Sequence, residues 1–199
     1  MKIFIAGARE IDSLSGEVLK ELRKIIENND RVFIGDAKGV DKTVQTFLKN
    51  KGYENVIIYS METIRNNVGN WENVKISTTL KKKTREYFTE KDKKMAELAD
   101  EGFMIWNKKS KGTLNNIINL LVMNKKVHLY IQEKDRNSFY NLENINELEK
   151  IILEANSKEL EEEYAILLKK AKENYADRLN ITPEKKRYFS GKIEQLTLQ

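Results

Sequence analysis

A chain of 199 residues is long enough for one domain with a sizeable hydrophobic core and an appendage. It has no cysteine and a single histidine, which excludes disulfides, thiolate metal sites and histidine-rich metal clusters. The net charge of +5 is mildly basic, and with 34% charged residues it is more typical of a solvated, lysine-rich surface than of a nucleic-acid binder.

The first two thirds of the chain are predicted to alternate between strands and helices. Short, nearly continuous apolar runs predict strands, and apolar residues that recur every three or four positions predict helices. The predicted strands are 2–6, 32–34, 56–59, 103–106 and 127–131. The predicted helices begin after Ser15, at Val40 and at Thr84, and a fourth carries Ile117 and Leu121. The stretch from Ser60 to Leu80 is predicted to be irregular.

This alternation predicts an α/β protein. Nearly continuous apolar strands separated by helices are typical of a parallel sheet that helices cover on both faces. Because crossovers are right-handed, we predict a Rossmann-like, doubly wound parallel sheet of about five strands. Ligands bind to such sheets at the carboxyl ends of the strands, where the strand order reverses. If the strand order is 3-2-1-4-5, the reversal lies between strands one and four, and the loops 7–10 and 107–113 would face each other there, with the loop 35–41 alongside.

Two glycine-bearing turns stand at this predicted edge. One lies within residues 32–42 and the other within residues 103–116, and each leads from a strand into a helix. The free N–H groups and the positive dipole end of a helix suit a phosphate or another anion. Two such turns in one sheet predict a nucleotide-like ligand.

The last third of the chain is predicted to be helical and is highly charged. Asn144 and Glu147 form a capping-box pattern before one helix, and Ser157 stands before a long helix with an apolar stripe. The segment Thr182-Pro183-Glu184 is a further predicted helix start. The apolar stripe needs a partner, which is either the sheet or a second copy of the chain, and the sequence leaves both alternatives open.

Several short motifs occur in a recognisable order along the sheet region. They are 2–9, 35–41, 91–96, 99–100 and 110–113, together with the strand that ends at Trp106. In this order they resemble the SMF/DprA–LOG (SLOG) superfamily, nearest its YspA-like branch. The resemblance covers about the first 134 residues. We therefore divide the chain into a SLOG-like nucleotide-binding domain, 1–134, and a helical C-terminal extension, 140–199.

The resemblance implies a fold that binds nucleotides or molecules derived from them. Some members of the superfamily cut the N-glycosidic bond of a nucleoside monophosphate, some sense nucleotide signals, and the DprA branch binds single-stranded DNA. The phosphoribohydrolase branch carries Pro-Gly-Gly-x-Gly-Thr-x-x-Glu with a catalytic glutamate, and Asn116 stands at that position here. An amide hydrogen-bonds a ribose hydroxyl but cannot act as a carboxylate base. This departure favours binding over glycoside chemistry.

The candidate site residues come from the same motifs. Small residues in the first loop let a ligand approach the backbone, and Arg9 suits a phosphate. Gly39 fits a tight turn as well as a ligand contact, and Asp41 fits a helix cap as well as a ribose contact. The candidate ligand-binding residues are Gly7, Ala8, Arg9, Gly35, Asp36, Gly39, Asp41, Asp92, Ser110, Gly112, Thr113 and Asn116. If the protein is an enzyme, the candidate catalytic carboxylates are Asp36, Asp92 and Glu10.

Three functions follow, in order of preference. The first is a cytoplasmic module that binds a nucleotide or a nucleotide-derived signal, and the second is a hydrolase that acts on the N-glycosidic bond of a nucleotide. The third, single-stranded DNA binding, depends on the run Lys81–Lys83, and a lysine run without interleaved aromatic residues makes it the least favoured. No apolar run is long enough to span a bilayer, so no membrane partner is expected. No carboxylate cluster demands a metal, although Mg²⁺ is compatible with a phosphate ligand.

Overall fold

The apolar runs form the centre of a mixed β-sheet. The computed structural model describes residues 1–82, 84–133 and 136–178. The strands in these ranges are β1 (Lys2–Gly7), β2 (Arg31–Gly35), β3 (Val56–Ser60), β4 (Glu72–Lys75), β5 (Glu101–Trp106), β6 (Val127–Gln132) and β7 (Asn137–Leu142).

The sheet reverses its strand order at β1. The order across the sheet is β4-β3-β2-β1-β5-β6-β7, and every neighbouring pair is parallel except β6 and β7. The chain moves outward from β1 to β4 and then returns to the other side of β1 with β5. The predicted doubly wound sheet is therefore confirmed, and the order of its central strands is the one assumed in the sequence analysis. The loops that follow β1 and β5 are adjacent at the point of reversal.

Helices cover both faces of the sheet. They are α1 (Gly16–Glu27), α2 (Val40–Asn50), α3 (Arg85–Leu98), α4 (Lys111–Val122), α5 (Ile145–Glu154) and α6 (Lys158–Arg178). The apolar faces of α1 and α2 pack on one side, against Ile3, Ile5 and Ile34. The other four helices pack on the opposite side, around Phe4 and Met104. Because both faces are buried, the central strands are apolar along nearly their whole length.

Two edge strands were not predicted. The stretch from Ser60 to Leu80 is irregular except for β4, which pairs in parallel with β3. Its sequence, Glu-Asn-Val-Lys, has no apolar run, because an edge strand of four residues buries little of either face. On the opposite edge β7 pairs antiparallel with β6 and alternates exposed and half-buried residues, so it lacks the continuous apolar run by which the inner strands were recognised.

The C-terminal helices have the predicted caps. Asn144 Oδ1 accepts the amide N–H groups of Asn146 and Glu147, and Glu147 reaches back to the amide of Glu143 at 2.7 Å. Ser157 Oγ accepts the amide of Leu160 at 3.4 Å at the start of α6. The predicted helix start at Thr182-Pro183-Glu184 lies outside the described residues.

The apolar stripe of α6 packs on the sheet side of the molecule. Tyr164, Leu167 and Ala171 are buried in the same cluster as residues of α4 and α5. The stripe thus has a partner within the chain. None of the helices in the described ranges combines the length and apolarity that a membrane span requires.

Candidate functional site

A cleft of about 500 Å³ lies at the carboxyl ends of β1, β2 and β5. Its walls are the loops that follow these three strands, the helix α3 and the first two turns of α4. The cleft therefore lies at the reversal of strand order, where doubly wound sheets bind ligands. Its volume is in the range of small-molecule and cofactor sites.

One wall of the cleft is the first turn of α4. Asn107 Oδ1 accepts the amide of Ser110 at 2.9 Å, and Ser110 Oγ accepts the amide of Thr113 at 3.4 Å. The amides of Lys111 and Gly112 have no acceptor within the described part of the chain. A Cβ at Gly112 would meet open space, so the approach to these amides is clear. Two free N–H groups at the positive end of a helix therefore border the cleft.

Asn116 lies one turn further along α4 and also borders the cleft. Its side chain is 4% exposed, and its Oδ1 has no hydrogen-bond partner among the residues described. A buried amide oxygen without a partner costs about 1–3 kcal/mol, and folded proteins leave few of them. Because Asn116 borders the cleft, a turn of its side-chain amide would present this oxygen to a hydrogen-bond donor on a ligand. Asn116 is therefore the side chain in the cleft that most clearly lacks a partner.

Basic side chains surround the mouth of the cleft. Arg9 and Lys109 are exposed at its rim and form no ion pair with another described residue. Arg85 of α3 and Lys111 of α4 instead share the carboxylate of Glu163, which comes from α6. Among the described residues, the mouth of the cleft therefore offers two unpaired cations to an anionic ligand and holds two more in internal ion pairs.

Asp36 follows β2 but does not border the cleft. Its carboxylate accepts the amide of Arg65 at 3.0 Å, its Nε at 3.1 Å and its Nη2. The guanidinium lies over the ring of Phe88, 4.8 Å from its centroid. Burial alone would raise the pKa of Asp36, but the hydrogen bonds from Arg65 and the charge of Lys91 hold that pKa below its ordinary value. Asp36 fastens the segment between β3 and β4 to the end of β2, and its carboxylate is not free to act as a base.

A second charged cluster forms the floor of the cleft. Lys91 of α3 is 4% exposed and its Nζ donates to Asp92 Oδ1 at 2.6 Å. The buried Asp41 accepts the amide of Ala37 at 3.1 Å. A Cβ on Gly35 would lie 2.5 Å from Asp41 Oδ2 and 2.6 Å from Lys91 Nζ. Gly35 therefore leaves the space that these two charged groups occupy.

The two buried groups of this cluster have shifted pKa values. Burial, with some help from the neighbouring carboxylates of Asp92 and Asp36, raises the pKa of Asp41 to about 6, and the charge of Lys91 only partly opposes that rise. Burial alone would lower the pKa of Lys91, but the carboxylates of Asp92 and Asp41 raise it above its ordinary value. Lys91 therefore stays charged at neutral pH, while Asp41 changes its protonation within the physiological range.

The raised pKa of Asp41 predicts a pH dependence of stability. Because the pKa of Asp41 is higher in the folded than in the unfolded chain, its contribution is fully present below about pH 4 and is lost as the pH rises through 6. Asp41→Asn keeps an oxygen for the amide of Ala37 but cannot ionise. We expect its free energy of unfolding, relative to the original protein, to increase by on the order of 2 kcal/mol between pH 4 and pH 7.

Urea unfolding at several pH values measures this difference, and Asp36→Asn is a control of opposite sign. The pKa of Asp36 is lowered on folding, so its stabilisation is present at neutral pH and is lost as the pH falls. The asparagine variant at this position should lose stability relative to the original protein as the pH rises. A flat difference for Asp41→Asn across this range would contradict the assignment.

Most of the sequence-predicted site residues meet at the cleft. Those that border it are Gly7, Arg9, Glu10, Gly35, Asp41, Asp92, Ser110, Gly112, Thr113 and Asn116. Three other predicted residues do not border the cleft and make contacts within the protein instead. The carboxylate of Asp41 also bonds within the protein, although Asp41 borders the cleft. Ala8 is buried, where its backbone joins β5 to α2; Asp36 is held by Arg65; and Gly39 lies against the backbone of Arg9. The side chain of Asp41 bonds the preceding turn, at Ala37, and does not cap α2.

The carboxylates near the cleft do not fit a resident Mg²⁺. Asp36 is paired with Arg65 and Asp92 with Lys91, so two of the oxygen donors already face cations. Among the residues described, no three histidine or acidic side chains converge as metal ligands would.

Three residues with a part in the site were missed by the sequence interpretation, namely Lys91, Arg65 and Glu163. A lysine, arginine or glutamate is normally exposed, so none of them stood out. Lys91 stands inside a motif that had been recognised, but its burial depends on how α3 crosses the end of β2. Glu163 reaches Arg85 and Lys111 at the rim of the cleft only because α6 packs beside α4. No local pattern in the sequence signals either contact.

These features define a doubly wound α/β protein of Rossmann-like architecture with a cleft at its switch point. Among solved structures the chain is similar to DNA processing protein A from Helicobacter pylori, which binds single-stranded DNA, with a TM-score of 0.50 and 12% sequence identity. The match covers 85% of this chain and 81% of that one. No protein-family model and no curated protein sequence matches the chain. At this identity the likeness shows a shared fold.

Proposed function

We propose that this protein, as a SLOG-type module of the YspA-like branch, binds a nucleotide or a nucleotide-derived molecule in the cleft beside α4. The observation that carries the proposal is the buried, unpaired Oδ1 of Asn116, next to the free amides of Lys111 and Gly112. A nucleotide has the matching groups, because its phosphate accepts hydrogen bonds from the amides and its ribose hydroxyls donate to Asn116.

The remaining walls suit the other parts of a nucleotide. Arg9 projects from the rim without an ion-pair partner in the described part of the chain and supplies positive charge to a phosphate. Phe88 and Met95 of α3 add apolar surface to the cleft, against which a base packs. Gly7 lets the loop after β1 pack closely, because a side chain there would collide with Val40.

Binding without strong catalysis fits the carboxylates of the cleft. Asn116 replaces the acid on which the related glycosidases depend, and an amide does not stabilise an oxocarbenium ion by charge. Asp92 is held by Lys91. Asp41, with its pKa of about 6, is the group that favours the hydrolase alternative, because a buried acid of that pKa can donate a proton near neutral pH. Turnover that disappears in Asp41→Asn would support an enzyme.

Single-stranded DNA binding is a second candidate, favoured by the structural likeness to a protein with that activity. Two features weigh against it. Lys82 of the 81–83 run pairs with Glu62, and Arg85 and Lys111 pair with Glu163, so much of the positive charge is internally neutralised. A DNA-binding protein would lose affinity steeply with added salt in proportion to the phosphates it contacts.

The binding proposal is tested by Asn116→Ala. Titration calorimetry with the four nucleoside monophosphates should show binding to the original protein and an affinity about five- to tenfold lower for the variant, because one ligand hydrogen bond is lost. The free energy of unfolding should change by less than about 1 kcal/mol, since the unpaired oxygen is removed and alanine favours the helix.

Asn119→Ala is the matched control. Asn119 is also buried on α4 with an unpaired side-chain atom, its Nδ2, but it lies outside the cleft. Its replacement should leave nucleotide affinity unchanged. Equal losses in both variants, or no nucleotide binding by the original protein, would contradict the proposal.

A further inference from the structure

Two cations from opposite walls of the cleft share one internal carboxylate. Glu163 Oε2 lies 2.7 Å from Lys111 Nζ, and Glu163 Oε1 lies 3.5 Å from Arg85 Nη1. The glutamate side chain is 16% exposed, whereas each cation is 47% exposed. A single carboxylate between two basic groups leaves one positive charge uncompensated. The arrangement is that of an anion site whose present occupant is a side chain of α6.

The position of this ion-pair group relates it to the proposed phosphate contact. Lys111 is the first residue of α4, so its Nζ extends from the same turn whose amides border the cleft. On the other side of this turn a second cleft of about 380 Å³ opens between α4 and α6, and Glu163 lies in its wall. A phosphate chain that begins at the amides of α4 would therefore pass Lys111 on its way toward the second cleft.

The helix that carries Glu163 is held in place independently of the ion pairs. Tyr164 and Leu167 are buried in the core that α6 forms with α4 and α5. Displacing the carboxylate therefore requires only rotation of the Glu163 side chain, while α6 stays packed. A ligand phosphate can take the place of the carboxylate without unfolding any element.

We propose that Arg85 and Lys111 form a second phosphate-binding position, which Glu163 occupies in the free protein and which a nucleoside di- or triphosphate takes over. The inference rests on the proposed nucleotide function and names the class of ligand, one with more than one phosphate. Glu163 then lowers the affinity for the longer phosphate chain and has little influence on a monophosphate held at the amides.

Glu163→Gln tests this assignment, because glutamine keeps the size of the side chain and removes the competing charge. Titration calorimetry compares the four nucleoside monophosphates with their triphosphates on the original protein and on the variant. We expect triphosphate affinity to rise about fivefold and monophosphate affinity to change by less than about twofold. In Lys111→Met the Glu163→Gln substitution should bring no further gain, because one cation of the pair is then missing.

Glu162→Gln is the matched control, since it removes the same charge from the adjacent, exposed position of α6. If Glu162→Gln raised the affinity for triphosphates by the same factor, the effect would be due to net charge alone, and the inference would be overturned. A weaker triphosphate affinity in Glu163→Gln would overturn it as well, because Glu163 would then hold the two cations in place for the ligand. If monophosphates bind through Asn116 and Glu163→Gln brings no selective gain, the inference fails while the proposed function stands. If no nucleotide binds either protein, both fail.

Discussion

Replacing Lys91 by methionine should lower the free energy of unfolding by about 3–5 kcal/mol, the largest loss we expect from a single substitution in this protein. Lys91 is 4% exposed, and the carboxylates of Asp92 and Asp41 lie around its ammonium group. Methionine fills much of the same volume but leaves these carboxylates without their cation. A buried charge that has lost its partner is costly, whatever the net value of the intact pair.

Lys93→Met is the control for the loss of charge itself. Lys93 lies on the same helix and pairs with Glu90 at 2.7 Å, but both side chains are partly in solvent. Its replacement should cost about 0.5 kcal/mol or less. Urea unfolding of the two variants measures the difference. Adding Asp92→Asn to Lys91→Met should recover part of the loss, because it removes one of the stranded carboxylates. Equal costs for Lys91→Met and Lys93→Met would contradict the buried cluster.

Gly39→Ala should lower the free energy of unfolding by about 3 kcal/mol. Gly39 has φ 74° and ψ −132°, a region that residues with a side chain rarely adopt. A Cβ there would lie 2.5 Å from the carbonyl oxygen of Arg9, and backbone atoms cannot rotate aside as a side chain can. The substitution would also push the loop that carries Arg9 away from the cleft, so nucleotide affinity should fall with stability.

Gly52→Ala separates the cost of the positive φ from the cost of the steric contact. Gly52 also has a positive φ, 64°, but a Cβ there would meet open space. Its replacement should cost only the backbone term, about 1 kcal/mol, and should leave binding unchanged. Thermal or urea unfolding of both variants, with calorimetry for affinity, provides the comparison. If Gly39→Ala were no more destabilising than Gly52→Ala, the close contact between the loops after β1 and β2 would be wrong.

The sequence predicted the centre of the sheet because burial on both faces produces long apolar runs. Those runs, together with the rule that crossovers are right-handed, were enough to predict a doubly wound sheet, whereas the strand order that places the reversal beside β1 was an assumption. The edge strands β4 and β7 were not predicted because they bury little surface. Their sequences therefore have neither a continuous apolar run nor a strict alternation of apolar and polar residues. Prediction from pattern was therefore most successful where both faces of a strand are covered.

At the candidate site, the turns of the backbone could be predicted from the sequence, but the pairing of the charged side chains could not. The glycines and Ser110 indicate the turns at the strand ends in the sequence, because turn geometry restricts which residues fit there. The partners of Asp36 and Lys91 depend on long-range packing. Arg65 comes from the irregular segment after β3, and Lys91 from a helix whose composition is typical of a solvated face. Which charges are buried together was therefore visible only in the folded chain.

Recovery of a bound molecule tests the central claim most directly. The purified protein is incubated with a pool of nucleotides, dinucleotides and cyclic nucleotides, washed, and heated to release what it holds, and both the solution and the released fraction are read by mass spectrometry. The account predicts an unchanged nucleotide or nucleotide derivative, retained by the original protein and by Asn119→Ala and much less by Asn116→Ala. A freed base or a sugar phosphate in the solution, or retention that does not depend on Asn116, would contradict it.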